Sequence, residues 1–410
     1  MNLLTLKRSL SLPMVTFYGL GNILGAGIYV LVGKVAGEAG YFAPLSFLVA
    51  SVIAAISAFT YAELSARYPV SAGEAVYIYK GFGLQKLSLL VGLMIALAGV
   101  VSAAAIAHGF AGYLRVFFDW PRWLVVTGLL LALGLLAAWG IKQSVRVVTL
   151  FTLIEIAGLL LIIIVGAGQL PAPGQWLDQI RLPGQTGLES SFSLLGIFTG
   201  AFLAFYAYTG FEDMVNIAEE VKEPERNMPR AILWCVLVST LLYCGVTLVS
   251  VRVLSPSELA QSDAPLASVY SQATGDAPWV ITLISIFAVV NGALIQLIMA
   301  SRLFYGMARR QWLPGILAMV HPVTRTPVNS TVLTVALMLF FALLFQIVML
   351  AEMTSYLVLI VFSLLNLALI RIKKLHAAPA GVFVFPVWFP WLGFLTVTSF
   401  LLFKLYSICL

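Results

Sequence analysis

Eleven apolar runs, each near the length a helix needs to cross a lipid bilayer, take up most of the 410 residues. A crossing helix needs about 20 residues. The runs fall at roughly 13–35, 41–66, 84–115, 121–140, 146–168, 190–218, 229–252, 278–308, 328–349, 353–371 and 386–408. Hydrophobic residues make up 61% and charged residues 10% of the chain, where a soluble domain is nearer about half and a quarter. The mean hydropathy is +1.02. The chain reads as an all-α polytopic membrane protein with about 11 transmembrane helices.

Charge sets the expected topology. With the N-terminus in the cytoplasm, 17 of the 23 Lys and Arg residues fall on the inner side, as the positive-inside bias requires. An odd number of spans then puts Leu410 outside. The formal charge of +6 is therefore read as topology, with no nucleic-acid partner. Residues 1–12 are short, carry Lys7 and Arg8 and run into the first span, so no cleavable signal is expected. The three cysteines, Cys235, Cys244 and Cys409, lie in apolar segments with no metal spacing, and neither a structural disulfide nor a metal is expected. Two outer loops are long, about 169–189 and 253–277. The inner stretch from Tyr68 to Gly83 is expected to form a short interfacial or re-entrant helix.

The first run is unusual inside. Gly19, Gly21, Gly25 and Gly27 lie in one stretch of it, although glycine costs about 1 kcal/mol against alanine in a helix interior. One reading is a backbone break at Gly25-Ala26-Gly27, tolerated in a membrane only where it faces protein or a water-filled cavity. The other is close helix packing through small residues. The sixth run repeats the pattern in a different chemistry. Phe205-Tyr206-Ala207-Tyr208-Thr209-Gly210-Phe211-Glu212-Asp213 sets aromatics, a glycine and two acids within one long segment. Interrupted segments in corresponding halves mark the substrate site of many secondary transporters. Breaks in the first and sixth spans fit a 5+5 inverted repeat, about 13–168 and about 190–371, with an extra helix at about 386–408.

These residues resemble the amino acid–polyamine–organocation transporters, in the branch near cationic amino acid transporters and their bacterial relatives. The likeness is carried by Gly25-Ala26-Gly27-Ile28-Tyr29, by Tyr61-Ala62-Glu63-Leu64-Ser65-Ala66-Arg67-Tyr68-Pro69, and by the run from Phe205 to Glu212. The acidic loop Glu219 to Pro229, Arg302 to Ala308, and Arg325-Thr326-Pro327 add to it. It covers about residues 10–371 in order. The family's usual twelfth helix has no counterpart among the eleven runs.

The resemblance implies an amino acid held by backbone at the two breaks. Ile23, Gly25, Ala26 and Gly27 would face its carboxylate, since amides at a half-helix N-terminus suit an anion. The carbonyls of Phe205, Ala207, Tyr208 and Gly210 would face its ammonium. Tyr206 stands where the family carries an aromatic gate; ordinary packing is the alternative for Tyr206 and Phe205, and the break beside them favours function. Asn291, in the middle of the eighth span, would reach the first helix or the substrate, or join helices.

Two acids are singled out for proton coupling or gating. Glu155 lies nine residues beyond Arg146, about 13 Å along a helix. An acid at that depth is a functional hypothesis by default. In some proton-coupled members of the family, this part of the fifth helix carries a lysine in place of a sodium ion, and the resemblance puts Glu155 at or near that position with the opposite charge. Glu212 matches a family acid near the cavity, and Asp213 reads as a solvated neighbour. The eighth span lacks the paired Ser/Thr of sodium-coupled members. His108 reads as a packed histidine. Glu63 and Arg67 would pair in an inner gate or lock the fold.

The expected function is secondary transport of amino acids across the plasma membrane by alternating access, either proton-coupled or exchanging. A polyamine or organic-cation carrier and a substrate sensor on a transporter scaffold are the alternatives. An intramembrane enzyme is disfavoured, because His108, His321 and His376 sit on different segments. No cofactor and no partner subunit is indicated; the expected partners are a small-molecule amino acid or amine, a proton and membrane lipid.

Overall fold

The structure is a computed structural model that describes residues 8, 10–25, 27–70, 73–139, 145–168, 193–321, 326–379 and 381–409. Each of the eleven expected spans is helical. The first is split into α1 (Leu12–Leu24) and α2 (Gly27–Ala39). The second is α3 (Ala43–Arg67), followed by the short α4 (Gly73–Phe82) in the stretch expected to hold an interfacial helix. Next come α5 (Gln85–Leu114), α6 (Arg122–Trp139) and α7 (Val145–Ala167). The sixth span is α8 (Leu194–Tyr208) and then a 3-10 segment, Glu212–Glu220. The seventh is α9 (Pro224–Val253), and the eighth is α12 (Trp279–Arg309). Last are α13 (Val328–Leu344), α14 (Ile347–Leu375) and α15 (Trp388–Cys409). Eight of the helical runs are long and apolar enough to cross a membrane, and α1, α6 and α13 are shorter apolar helices.

Several boundaries differ from the sequence reading; the seventh and tenth spans begin earlier, at Pro224 and Ile347. The ninth span ends at Leu344 rather than near 349, because the chain turns extended at Phe345 and Gln346 before α14 begins. The loop at 253–277 is largely helical: Ser255 opens α10 (Pro256–Gln261) with a capping box to Glu258, and α11 (Pro265–Thr274) ends at Gly275 in the left-handed region. These two short helices are held across the end of the bundle. The Lys34 ammonium donates to the Ala260 carbonyl, and Arg115 and Arg122 both reach Asp263. The long loop at 169–189 lies outside the described residues.

The packing has a regular order. The two most extensive helix crossings are α5 with α12 and α3 with α9; α2 also packs on α8, and α6 on α13. Each is a span against the span five places on. The fifth span, α7, lies on the first and eighth, whereas the tenth, α14, lies on the sixth and third. The contacts of one half therefore map onto those of the other. α15 stands outside this scheme, against α14 and α3.

The side of the bundle that carries Leu12 and Arg67 is closed by one buried acid. Glu63 takes both an Nε and an Nη contact from Arg67, at 2.9 and 2.8 Å, on one oxygen. Its other oxygen accepts from Lys373 at 2.6 Å and from the Phe385 amide at 3.0 Å. The expected Glu63–Arg67 pair is thus part of a larger knot that ties α3, the end of α14 and the link to α15.

Candidate functional site

Both breaks are real, and they interlock. α1 stops at Leu24, and α2 restarts at Gly27. α8 stops at Tyr208, Thr209 is extended, and Gly210 takes φ +126. A Cβ on Gly27 would stand 2.2 Å from Ala207 Cα, and one on Gly210 would stand 2.9 Å from the Asn22 carbonyl oxygen. The two sequence readings of the glycines therefore merge: the helix is interrupted, and the missing side chains are what let the interruption meet its counterpart. Gly25 faces elsewhere, toward the Ala288 carbonyl and Gly292 of α12. Ala26 lies outside the described residues.

One side chain joins the two breaks. The Tyr243 hydroxyl, from α9, lies 2.8 Å from the Ile23 carbonyl and 2.9 Å from the Ala207 carbonyl. Helix interruption frees these two acceptors, and a buried acceptor without a donor is costly. Asn22 performs a similar service lower down, donating to the Gly210 carbonyl and to Asp213 Oδ2, each at 2.8 Å.

Two narrow cavities meet at this junction. The upper one is lined by Asn22, Ile23 and Gly27 of the first span, Tyr206 and Thr209 of the sixth, Ser102 and Ile106 of the third, and Gly292 and Gln296 of the eighth. The lower one shares Ser102, Thr209 and Gln296 and runs on to Glu212 and Asp213. Tyr206 is held over the upper cavity by its hydroxyl, 3.1 Å from both the Ser102 carbonyl and Ser102 Oγ.

Not every expected residue faces the cavities. The Phe205 ring packs edge-on against Phe362 of α14. The Tyr208 hydroxyl donates to the Phe47 carbonyl, and its ring lies against Tyr243. Neither side chain lines either cavity. Asn291 points away from them as well, with its amide 3.4 Å from Glu155 Oε1.

Glu155 is buried between three spans. Tyr29 of α2 donates to its backbone carbonyl at 2.7 Å, Asn291 of α12 reaches its side chain, and its Oε2 has no partner. Glu212 and Asp213 are buried too, at 4% exposure each, which corrects the picture of Asp213 as a solvated neighbour. Asp213 Oδ2 accepts from Asn22 and, at 3.2 Å, from Gln296. It thereby ties the sixth span to the first and the eighth. Glu212 Oε2 accepts the Gly210 amide at 2.8 Å and so folds back over the break.

The match to known proteins runs nearly end to end. The family model described as amino acid permease matches residues 10–407. The chain belongs to the amino acid permease family. It is 30% identical to the methylthioribose transporter of Bacillus subtilis over 395 residues, which is 91% of this chain and 82% of that one. It is 32% identical to the vacuolar cationic amino acid transporter 4 of Arabidopsis thaliana, over 92% of this chain and 65% of the longer plant protein. The branched-chain amino acid permease of Bacillus subtilis is 29% identical, over 90% and 82%. The permease is thus a multi-pass membrane protein of a transporter family, not an enzyme.

Tyr243, Asn22, Ser102 and Gln296 were not singled out from the sequence. Each is one of several scattered polar residues in an apolar helix, and its role arises only when another helix brings a polar partner to it. Asn22 alone carried a local signal, because it stands among the glycines of the first break.

Proposed function

We propose that this permease is a secondary active transporter of amino acids, working by alternating access and driven by protons or by exchange. The observation that carries this reading is the convergence of two helix breaks, from corresponding halves of the chain, on one cavity roofed by Tyr206. The halves are taken as about 13–168 and 190–371, with the helix at 386–408 outside the repeat. The substrate carboxylate would sit at the start of α2, where unpaired amides and the helix dipole favour an anion. Its ammonium would take carbonyls of the sixth-span break, and the Tyr206 face would add cation–π attraction of about 0.5–2 kcal/mol. The Ile23, Ala207 and Gly210 carbonyls are bonded to Tyr243 and Asn22 in this conformation, so substrate would compete with those donors. The Lys and Arg bias supports an N-terminus on the cytoplasmic side, and the membrane in this reading is the plasma membrane.

Glu155 is the coupling group in this reading. It is buried, has an oxygen without a partner, and touches both the first span and the eighth. Neutralising it as Glu155→Gln is expected to leave substrate binding and to abolish the dependence of uptake on a proton gradient. Gradient-dependent uptake by that variant would remove Glu155 from the mechanism.

A cationic side chain is a second reading of the substrate, favoured by one observation: the lower cavity ends on Glu212 and Asp213. Thermal stabilisation of the purified protein by the twenty amino acids, putrescine, spermidine and agmatine tests both. A ligand at 100 times its dissociation constant adds about 2.7 kcal/mol to a reversible equilibrium. Stabilisation by amino acids and not by their decarboxylated amines supports the carboxylate site, and stabilisation by amines alone overturns it.

A further inference from the structure

The two cavities share Ser102, Thr209 and Gln296, and these three side chains are not held alike. Two of them are tied to Tyr206. Ser102 Oγ lies 3.1 Å from the Tyr206 hydroxyl, and Thr209 Oγ1 donates to the Tyr206 carbonyl at 2.7 Å. Gln296, from α12, is the longest of the three. Its side chain makes one hydrogen bond among the described residues, from Nε2 to Asp213 Oδ2 at 3.2 Å, which is at the long end for an N–H donor.

Its partners place it across the passage between the cavities. Asn22 lines the upper cavity, Asp213 lines the lower, and Gln296 lines both. The Asn22 and Gln296 amides donate to the same carboxylate oxygen of Asp213. They form a polar bridge over the way from one cavity to the other. On its other side the Gln296 amide rests on α5. A Cβ at Gly99 would stand 2.9 Å from Gln296 Oε1 and 3.3 Å from Met299 Cε. The bare backbone at Gly99 is what lets the amide lie this close to α5. Both neighbours are the ends of flexible side chains, so a methyl at Gly99 would turn them aside and leave the helix packing in place. Beyond the bridge, Ile95, Ala98, Met299 and Val358 give the lower cavity an apolar wall, which suits the methylenes of a side chain.

We propose that Gln296 sets the length of side chain that the permease accepts, as a septum between the substrate cavity and a side-chain pocket below it. The inference rests on the transporter reading. With the carboxylate at α2 and the ammonium at the sixth-span break, the wall left for the side chain is Ser102 and Ile106 of α5 with Gly292 and Gln296 of α12. A short side chain ends against the Gln296 amide. A longer one must turn the amide away from Asp213 and give up that hydrogen bond. Gln296 therefore decides whether a side chain reaches Glu212 and Asp213 at all.

Straight-chain amino acids of increasing length, α-aminobutyrate, norvaline and norleucine, test this on the purified full chain. Dissociation constants come from thermal unfolding titrated with each ligand. One methylene fitted into an apolar pocket changes affinity about tenfold or more. In Gln296→Ala the affinity for norleucine relative to α-aminobutyrate should rise by about tenfold or more. Asp213 keeps Asn22 as a donor in that variant. In Gly99→Ala the added methyl pushes the amide into the passage, and the same ratio should fall. Loss of stability alone would weaken all three ligands alike. A ratio that stays unchanged in either variant, or an equal loss for every ligand, overturns the septum. Where Gln296→Ala does not fold, an unmoved ratio in Gly99→Ala overturns it equally. Failure of every amino acid to bind the wild-type chain overturns the transporter reading and the septum with it, whereas wild-type binding with unmoved ratios in the variants overturns the septum alone.

Discussion

The two breaks do the same thing to the backbone by opposite means. The first is built from residues with almost no side chain, and the second from residues whose side chains bond their own loop. At the first, Gly27 is required by contact, because Ala207 stands where a Cβ would be. At the second, Gly210 is required by conformation, with φ +126, as well as by the nearness of the Asn22 carbonyl, and the turn is then stitched by Thr209 to the Tyr206 carbonyl and by Glu212 to the Gly210 amide. The shape of the first break is therefore set by its contact with the sixth span. The second keeps its shape on its own.

The sharpest way to break this contrast is to add one methyl group at each glycine. Gly27→Ala places a Cβ 2.2 Å from Ala207 Cα. Overpacking of that kind costs about 1–3 kcal/mol and sometimes more, and uptake should be abolished. Ala207→Gly in the same chain should not rescue it, because the clash is with backbone. Gly210→Ala should cost about 1–3 kcal/mol through strained dihedrals, with transport reduced to a smaller degree. Thermal unfolding and liposome uptake of the three variants read this directly. Rescue by Ala207→Gly would show that side-chain contact, not backbone approach, sets the first break.

Much of this contrast was legible before any helix was placed. Apolar runs of about 20 residues can only be spans, and glycine within them is conspicuous because it is costly there. The short helix after Pro69 was legible as well, from its mixed composition. What the sequence could not convey was which freed carbonyl meets which donor. Asn291 read equally as a substrate ligand or as a tie between helices, and its amide lies against Glu155 of the fifth span. Phe205 was expected to offer a carbonyl, and its ring packs against Phe362. A period of 3.6 residues assigns a side chain to a face of its helix, but the neighbour on that face is set by the packing of distant spans. The α10–α11 strap was missed for a related reason: two helices of 6 and 10 residues are too short to carry a clear periodic signal.

Tyr243 is where the two breaks become one site, so its removal is the next largest test. Tyr243→Phe keeps the ring contacts to Phe47 and Tyr208 and removes the donor shared by Ile23 and Ala207. Leaving buried acceptors unpaired costs about 1–3 kcal/mol. The variant should unfold at a lower temperature, and its loss should not add to that of Gly27→Ala, since both act on the same interface. Additive losses would mean that Tyr243 stabilises α9 alone and does not couple the breaks.

The smallest effect is expected for Tyr206→Phe, and set beside Tyr206→Ala it separates the two uses of an aromatic residue. Its hydroxyl bonds to Ser102 across the upper cavity, while its ring lines that cavity. Tyr206→Phe removes one neutral hydrogen bond, about 0.5–1.5 kcal/mol, and leaves the ring surface in place. Affinity in the thermal-shift panel should change little. Tyr206→Ala removes the ring, and both affinity and uptake should fall steeply. Equal losses in the two variants would place the function of Tyr206 in the Ser102 bond, as a tie between the sixth and third spans. An intact Tyr206→Phe would place it in the ring, as a movable cover over a site whose floor is backbone.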